Sequence, residues 1–177
     1  MVRVLVPSGA LGLNFDQDAL EAGLARTPHV IAIDGGSTDS GPAYLGQGRS
    51  KYSRAVISSE WERLMQARAR NAIPLVLGTA GTCGTDSGVA EMLDITREIA
   101  NRNGEKLRVA LLKSSQDGTR LAAEYERGRI FPLPAAPDIS APTLGQCTNI
   151  VALAGAEQVG AALETGADII IAGRTTD

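Results

Sequence analysis

The chain predicts an α/β fold, a mostly parallel sheet with helices on both faces in a Rossmann-like layered sandwich. Three observations carry this. Five short runs, at residues 2–6, 30–33, 74–77, 108–112 and 168–172, are nearly continuous in apolar and mostly β-branched residues. That is how strands buried on both faces read. Stretches with helical spacing separate the runs. Glycines, hydroxyls and charges gather in the segments that follow them.

In chain order, the first strand leads to a helix over residues 16–26, with Leu20, Gly23 and Leu24 on one side. After the second strand, residues 53–71 place Val56, Ile57, Trp61, Leu64 and Met65 at helical spacing. After the third, residues 86–103 repeat the pattern with Val89, Met92, Leu93, Thr96, Ile99 and Ala100. Asp86 or Ser87 can cap that helix, and Gly104 can stop it in the left-handed conformation. Asp117 can cap a fourth helix over residues 117–127, which carries Leu121 and Tyr125. The stretch PLPAAPDISAP, residues 132–142, is a proline-stiffened extended connector. Residues 148–154 read as strand or helix, and the spacing of Ile150, Val151 and Ala154 favours helix. A helix over residues 156–165, with Val159, Ala162 and Leu163, ends at Gly166 before the fifth strand. A β/α barrel would share this alternation, but the varied loops and the stop after five strands rank it lower. No helix follows the fifth strand to cover it. The expectation is therefore a single α/β domain over residues 1–177 that forms the N-terminal part of a longer protein.

Bulk properties narrow the function. The net charge of -3 is mixed along the chain, with no basic patch or arginine-rich arm, which argues against nucleic acid. The N-terminus MVRVLVPSG is too short in apolar residues for a signal peptide, and no stretch reaches the ~20 residues of a membrane span. A cytoplasmic protein is the expectation. The two cysteines, Cys83 and Cys147, do not make a disulfide scaffold, and the single histidine, His29, leaves no zinc spacing. His29 precedes its strand, away from the loops of interest.

In a parallel sheet the loops after the strands share the carboxyl end, where ligands bind. Here those loops read PSGALG, DGGSTDSGP, GTAGTCGTDSG, KSSQDG and GRTTD. The opposite strand ends carry little comparable chemistry. Each loop alone has a plain reading: a tight turn, an aspartate holding backbone amides, or a lysine and an arginine neutralising those aspartates. Five such loops at one rim favour a binding site. Neither GxxxxGK[ST] nor GxGxxG is present. The third loop could still cradle an anion at a helix N-terminus. Cys83 lies there too, with a buried filler as its plain reading.

Together, RVLVPSGALG, PHVIAIDGGSTDSGPAYLGQG, IPLVLGTAG and ALETGADIIIAGRTTD resemble the N-terminal half of the acyclic terpene utilisation AtuA family, a domain of unknown function. The resemblance runs through nearly the whole chain in the same order. It implies a longer protein, tied to catabolism of terpenoids and related branched acids, often beside a small companion protein. The positions it marks are Ser8, Gly9, Asp34, Gly36, Ser37, Thr38, Asp39, Gly41, Pro42, Gly81, Arg174 and Asp177. Cys83 and Lys113 fall where it marks no fixed residue.

The expected activity is a lyase of the hydratase or dehydratase kind, acting on a branched carboxylate or acyl-CoA. The reaction type comes from that catabolic context. Arg174 would pair with the substrate carboxylate. Asp34 or Asp39 would act as general base or help hold a divalent metal through oxygen. Ser37, Thr38 and loop amides would stabilise an oxyanion. Ser8, Gly9, Gly36, Gly81, Thr82, Lys113 and Asp177 complete the substrate-binding set. A homo-oligomer or a companion subunit is expected. The alternative is a non-catalytic subunit that binds an acyl-CoA or anion while a partner does the chemistry.

Overall fold

The structure is a computed structural model that describes residues 1–36 and 41–175. Its elements run in the order β1 (Val4–Leu5), α1 (Gln17–Leu24), β2 (Val30–Gly36), α2 (Gly41–Gln47), α3 (Arg54–Asn71), β3 (Leu75–Thr82), α4 (Asp86–Asn103) and β4 (Val109–Leu112). They continue with β5 (Ser115–Gln116), α5 (Gly118–Glu126), α6 (Ala141–Gln146), β6 (Ile150–Val151), α7 (Ala156–Glu164) and β7 (Ile169–Ala172). The main sheet is parallel, with strand order β1-β2-β3-β7-β4. Its two edges are separate strands, so the fold is an open layered sheet and not a barrel.

Strand order explains how the helices are distributed. The chain advances across the sheet from β1 to β2, β3 and β4, so right-handed crossovers put α1, α3 and α4 on one face. It then steps back one position to β7, which sends α7 to the other face. The larger core follows. Leu20 and Leu24 of α1, Ile57, Trp61, Leu64 and Met65 of α3, and Met92, Ile95 and Ile99 of α4 close over Ile31, Ile33, Leu75, Leu77, Ile169 and Ile171. Each such burial contributes about 1.5–3 kcal/mol. On the other face α7 sets Val159, Ala162 and Leu163 against Val76, Ile170, Ala110 and Leu112. The side chains alternate between these cores along each strand, as the pleat requires. Towards β1 that second face stays open: Val4 is 54% and Val6 61% exposed.

The five expected strands and five expected helices are all present. The corrections lie in the connections. The fifth strand, β7, is not left uncovered. It sits inside the sheet between β3 and β4, with all four residues buried between the two cores. Residues 148–154 do not start a helix. Ile150 and Val151 form β6, which pairs antiparallel with β5, and Ala152 and Ala154 donate their amides to Ser114 and Arg174. Those outside partners compete with the i to i−4 pattern. The proline-rich connector is not extended throughout: a turn at Pro134 and Ala135, with Ala135 left-handed (φ 62) and the Ala136 amide on the Leu133 carbonyl at 3.0 Å, breaks it. After Ser140, whose side chain caps α6, its last two residues enter that helix with Pro142 in the first turn. Thr85, not Asp86 or Ser87, caps α4. The Asp86 carboxylate instead accepts the amides of Ser114 and Ser115, each at 2.9 Å.

The amino ends of the strands also hold more chemistry than expected. Arg68 is buried there, bonding Glu105 at 2.9 Å, Asp168 at 3.1 Å and the Ile73 carbonyl at 3.3 Å. The other Asp168 oxygen accepts the Arg108 amide at 2.8 Å. This cluster ties α3 and the segment after α4 to β3, β4 and β7.

Candidate functional site

The carboxyl ends of β1, β2, β3, β4 and β7 lie along one side of the parallel sheet. The loop after β1 folds over β2, and Leu11 donates its amide to the Asp34 carbonyl at 2.7 Å. Its far side is pinned by the buried Glu60 of α3, which accepts the amides of Gly12 at 2.7 Å and Asn14 at 2.8 Å. In the same loop the Ser8 hydroxyl donates to the Ala10 carbonyl at 3.3 Å. Gly9 is exposed, with open space where a Cβ would be.

Asp34 occupies the end of β2 on the α7 side of the sheet. It is half-buried, and its Oδ1 accepts the Gly36 amide at 2.8 Å. Its Oδ2 has no partner among the described residues. Gly36 lies against Thr79, and a Cβ there would overlap the Thr79 Cγ2 methyl, so only glycine allows β2 and β3 to approach this closely. At this point the register between the two strands shifts: Asp34 faces Gly78, whereas Gly36 faces Thr82. The extra β3 residues form a bulge of the kind that re-aims side chains beside active sites.

The bulge bends through left-handed backbone at Thr79 (φ 49), Gly81 (φ 66), Thr82 (φ 69) and Gly84 (φ 71). For a β-branched threonine this conformation is a true outlier, costing on the order of 1–3 kcal/mol each. Thr82 is fully buried. Its hydroxyl accepts the Lys51 amide at 3.0 Å and meets the Ser50 hydroxyl at 3.3 Å. Gly81 packs against Gly88 in the first turn of α4. Gly84 packs against the Arg174 backbone so closely that a Cβ would overlap it.

Arg174 follows β7. Its amide donates to the Gly84 carbonyl at 3.0 Å, and its carbonyl accepts from Ala154 at 2.9 Å. The side chain is half-buried, and its guanidinium has no hydrogen-bond or ion-pair partner among the described residues. Asp34 and Arg174 stand on strands two places apart, which separates their backbones by about 10 Å. Lys113 is exposed at the end of β4, a further strand away. Ser37, Thr38, Asp39 and Asp177 lie outside the described residues.

A cleft of about 240 Å³ opens beside Asp34 on the partly uncovered face of the sheet. Val6, Ala32, Val76 and Val159 give it an apolar wall, and Asp34 and Thr175 give it a polar end. Among the described lining residues Asp34 is the one ionisable group. A carboxylate only accepts hydrogen bonds, whereas Thr175 can donate or accept. The polar end therefore suits a group with a proton to share, such as a hydroxyl. Among the described residues no group of three or more His, Cys, Asp or Glu is placed to hold a metal ion. A larger hollow of about 570 Å³ beside α5 is lined by Asp117, Arg120, Glu124 and Arg129, where Glu124 is already engaged by Arg129 at 3.1 Å.

Sequence reasoning missed Thr79, Thr175 and Glu60. No local pattern marks them: Glu60 reads as an ordinary helix residue, and the two threonines are 96 residues apart. Cys83 is buried beside Thr85, and Cys147 is exposed; both are free thiols. No described helix is long and apolar enough to cross a membrane.

The family whose model matches this chain is described as "Acyclic terpene utilisation family protein AtuA", and the match spans residues 37–177. The first loop and β2 up to Gly36 lie ahead of it. Neither the curated proteins nor the solved structures contain a match to the chain. With the matched region running from the loop after β2 through the rim to the end of β7, the chain belongs to the acyclic terpene utilisation AtuA family.

Proposed function

We propose that this chain carries the substrate cleft of a catabolic lyase, of the hydratase or dehydratase kind, acting on a short branched hydroxy acid or its acyl-CoA thioester. The observation that supports this most is the Asp34 oxygen that no described residue engages, at the polar end of an apolar cleft. The Val6, Ala32, Val76 and Val159 wall suits a branched hydrocarbon body. Asp34 would accept a proton from the substrate as general base, with Asp39 as the other carboxylate of that loop. Arg174, about 10 Å across the strand ends, has a side chain long enough to pair with a substrate carboxylate. Ser37, Thr38 and the loop amides would steady the developing oxyanion. The reading sets the protein in the cytoplasm, in keeping with two free cysteines, and alongside a second copy or companion subunit.

A second reading, a binding subunit whose partner does the chemistry, draws on one observation. Asp34 has no second acid–base group beside it among the described lining residues. Titration with β-hydroxyisovalerate and its CoA thioester, monitored by calorimetry and by product formation, separates the two. Binding with turnover supports the lyase, and binding without turnover supports the subunit. In either case Asp34→Asn should weaken binding roughly tenfold, the loss of one hydrogen bond to a charged group. If neither compound binds, or if the variant binds as well as the parent, the cleft is not the site.

A further inference from the structure

Two threonines at the end of β3 keep backbone angles that glycine would adopt without strain. In the same bend, positions 81 and 84 are glycine. The two threonines share what the glycines lack: a hydroxyl bonded to another rim segment. Thr82 holds the Lys51 amide. Thr79, 2% exposed, accepts the Thr175 amide at 3.4 Å and meets the Thr175 hydroxyl at 3.3 Å and the Thr175 carbonyl at 3.5 Å. Thr79 is itself fixed from behind, since its amide donates to the Gly173 carbonyl at 2.9 Å and its methyl packs on Gly36. Thr175 lines the cleft together with Asp34, whereas Thr79 does not.

We propose that Thr79 is a positioning residue of this cleft, whose left-handed backbone holds its hydroxyl against Thr175 and so orients the Thr175 hydroxyl toward the polar end of a ligand. Thr79 Oγ1 accepts the Thr175 amide, and its own proton goes to Thr175 Oγ1 at 3.3 Å, the nearer of two acceptors, the other being the Thr175 carbonyl at 3.5 Å. The Thr175 proton is then left to donate into the cleft. A ligand hydroxyl would give its proton to Asp34 and accept one from Thr175. The proposal rests on the reading that the cleft beside Asp34 is the binding site.

The test uses the full chain with Thr79→Val, which keeps the shape and removes the hydroxyl, and Thr79→Ser, which keeps the hydroxyl. Two readouts are taken: hydrogen exchange of the Thr175 amide without ligand, and β-hydroxyisovalerate affinity. Thr79→Val should speed Thr175 exchange and weaken affinity, each about tenfold. Thr79→Ser should restore both, which a role for the methyl or for bulk packing would not. Unchanged exchange and affinity in Thr79→Val, or equal damage in both variants, overturns the proposal. Should Thr79→Val fail to fold, Thr175→Val serves. It should keep the protected amide at that position and still lose affinity about tenfold, and full affinity there counts against the proposal. If the parent does not bind β-hydroxyisovalerate, the reading of the cleft fails, while the exchange comparison still decides whether Thr79 holds Thr175.

Discussion

Glu60→Gln should destabilise the protein by about 2–3 kcal/mol, although Glu60 lies on a helix and pairs with no charged side chain among the described residues. Glu60 is 2% exposed, and its carboxylate accepts two amides of the first rim loop, at 2.7 and 2.8 Å. A hydrogen bond to a charged group contributes about 1.5–3 kcal/mol, so the pair sets a ceiling near 6 kcal/mol. Glutamine keeps one acceptor and turns an NH₂ toward the other amide, so one bond is lost and two donors face each other. Gly12 is half-buried and Asn14 exposed, so water recovers part of the loss. For a chain of this length the estimate corresponds to a fall in melting temperature of about 5–10 °C. Urea denaturation measures it directly, with the midpoint moving and the slope unchanged. The same loop donates the Leu11 amide to Asp34, so exchange at Leu11 should quicken in the variant. A loss below about 1 kcal/mol would mean that the loop is held by its apolar contacts, through Leu11 and Phe15, and that the reasoning from the buried carboxylate is wrong.

Other perturbations have equally direct outcomes. Arg68→Met should cost about 2–3 kcal/mol in the same assay, below the 3–5 typical of a broken buried pair, because Glu105 and Asp168 keep side-chain exposures of 23% and 31% and can rehydrate. Gly84→Ala should cost at least about 2 kcal/mol by thermal unfolding, because it combines a left-handed backbone with overlap on the Arg174 main chain.

The legible parts of the fold were those with short-range causes. Ile169, Ile170 and Ile171 announce a strand buried on both faces, whatever its neighbours. Asp117 and Gly104 announce helix ends, because a side-chain acceptor and a left-handed glycine act within one turn. Thr85 was passed over as a cap for Asp86, because the amides that claim the Asp86 carboxylate come from residues 114 and 115. Residues 150 and 151 went from an expected helix to a strand for the same reason: the partner, β5, is remote in sequence. Asp34 and Arg174 were legible as candidates from their place after a strand. Thr79 and Thr175 were not, because a strained dihedral and a contact across 96 residues leave no local trace.

The sequence by itself determined the alternation of strands and helices, the parallel sense of the sheet, and the gathering of polar loops at its carboxyl end. Each follows from periodicity, capping and the geometry of crossovers. Only the tertiary structure decided that β7 inserts between β3 and β4, which sends a single helix to the second face and leaves the cleft beside Asp34 open there. The physical reason is that strand order depends on which buried surfaces fit one another, and that choice is made between residues far apart in the chain.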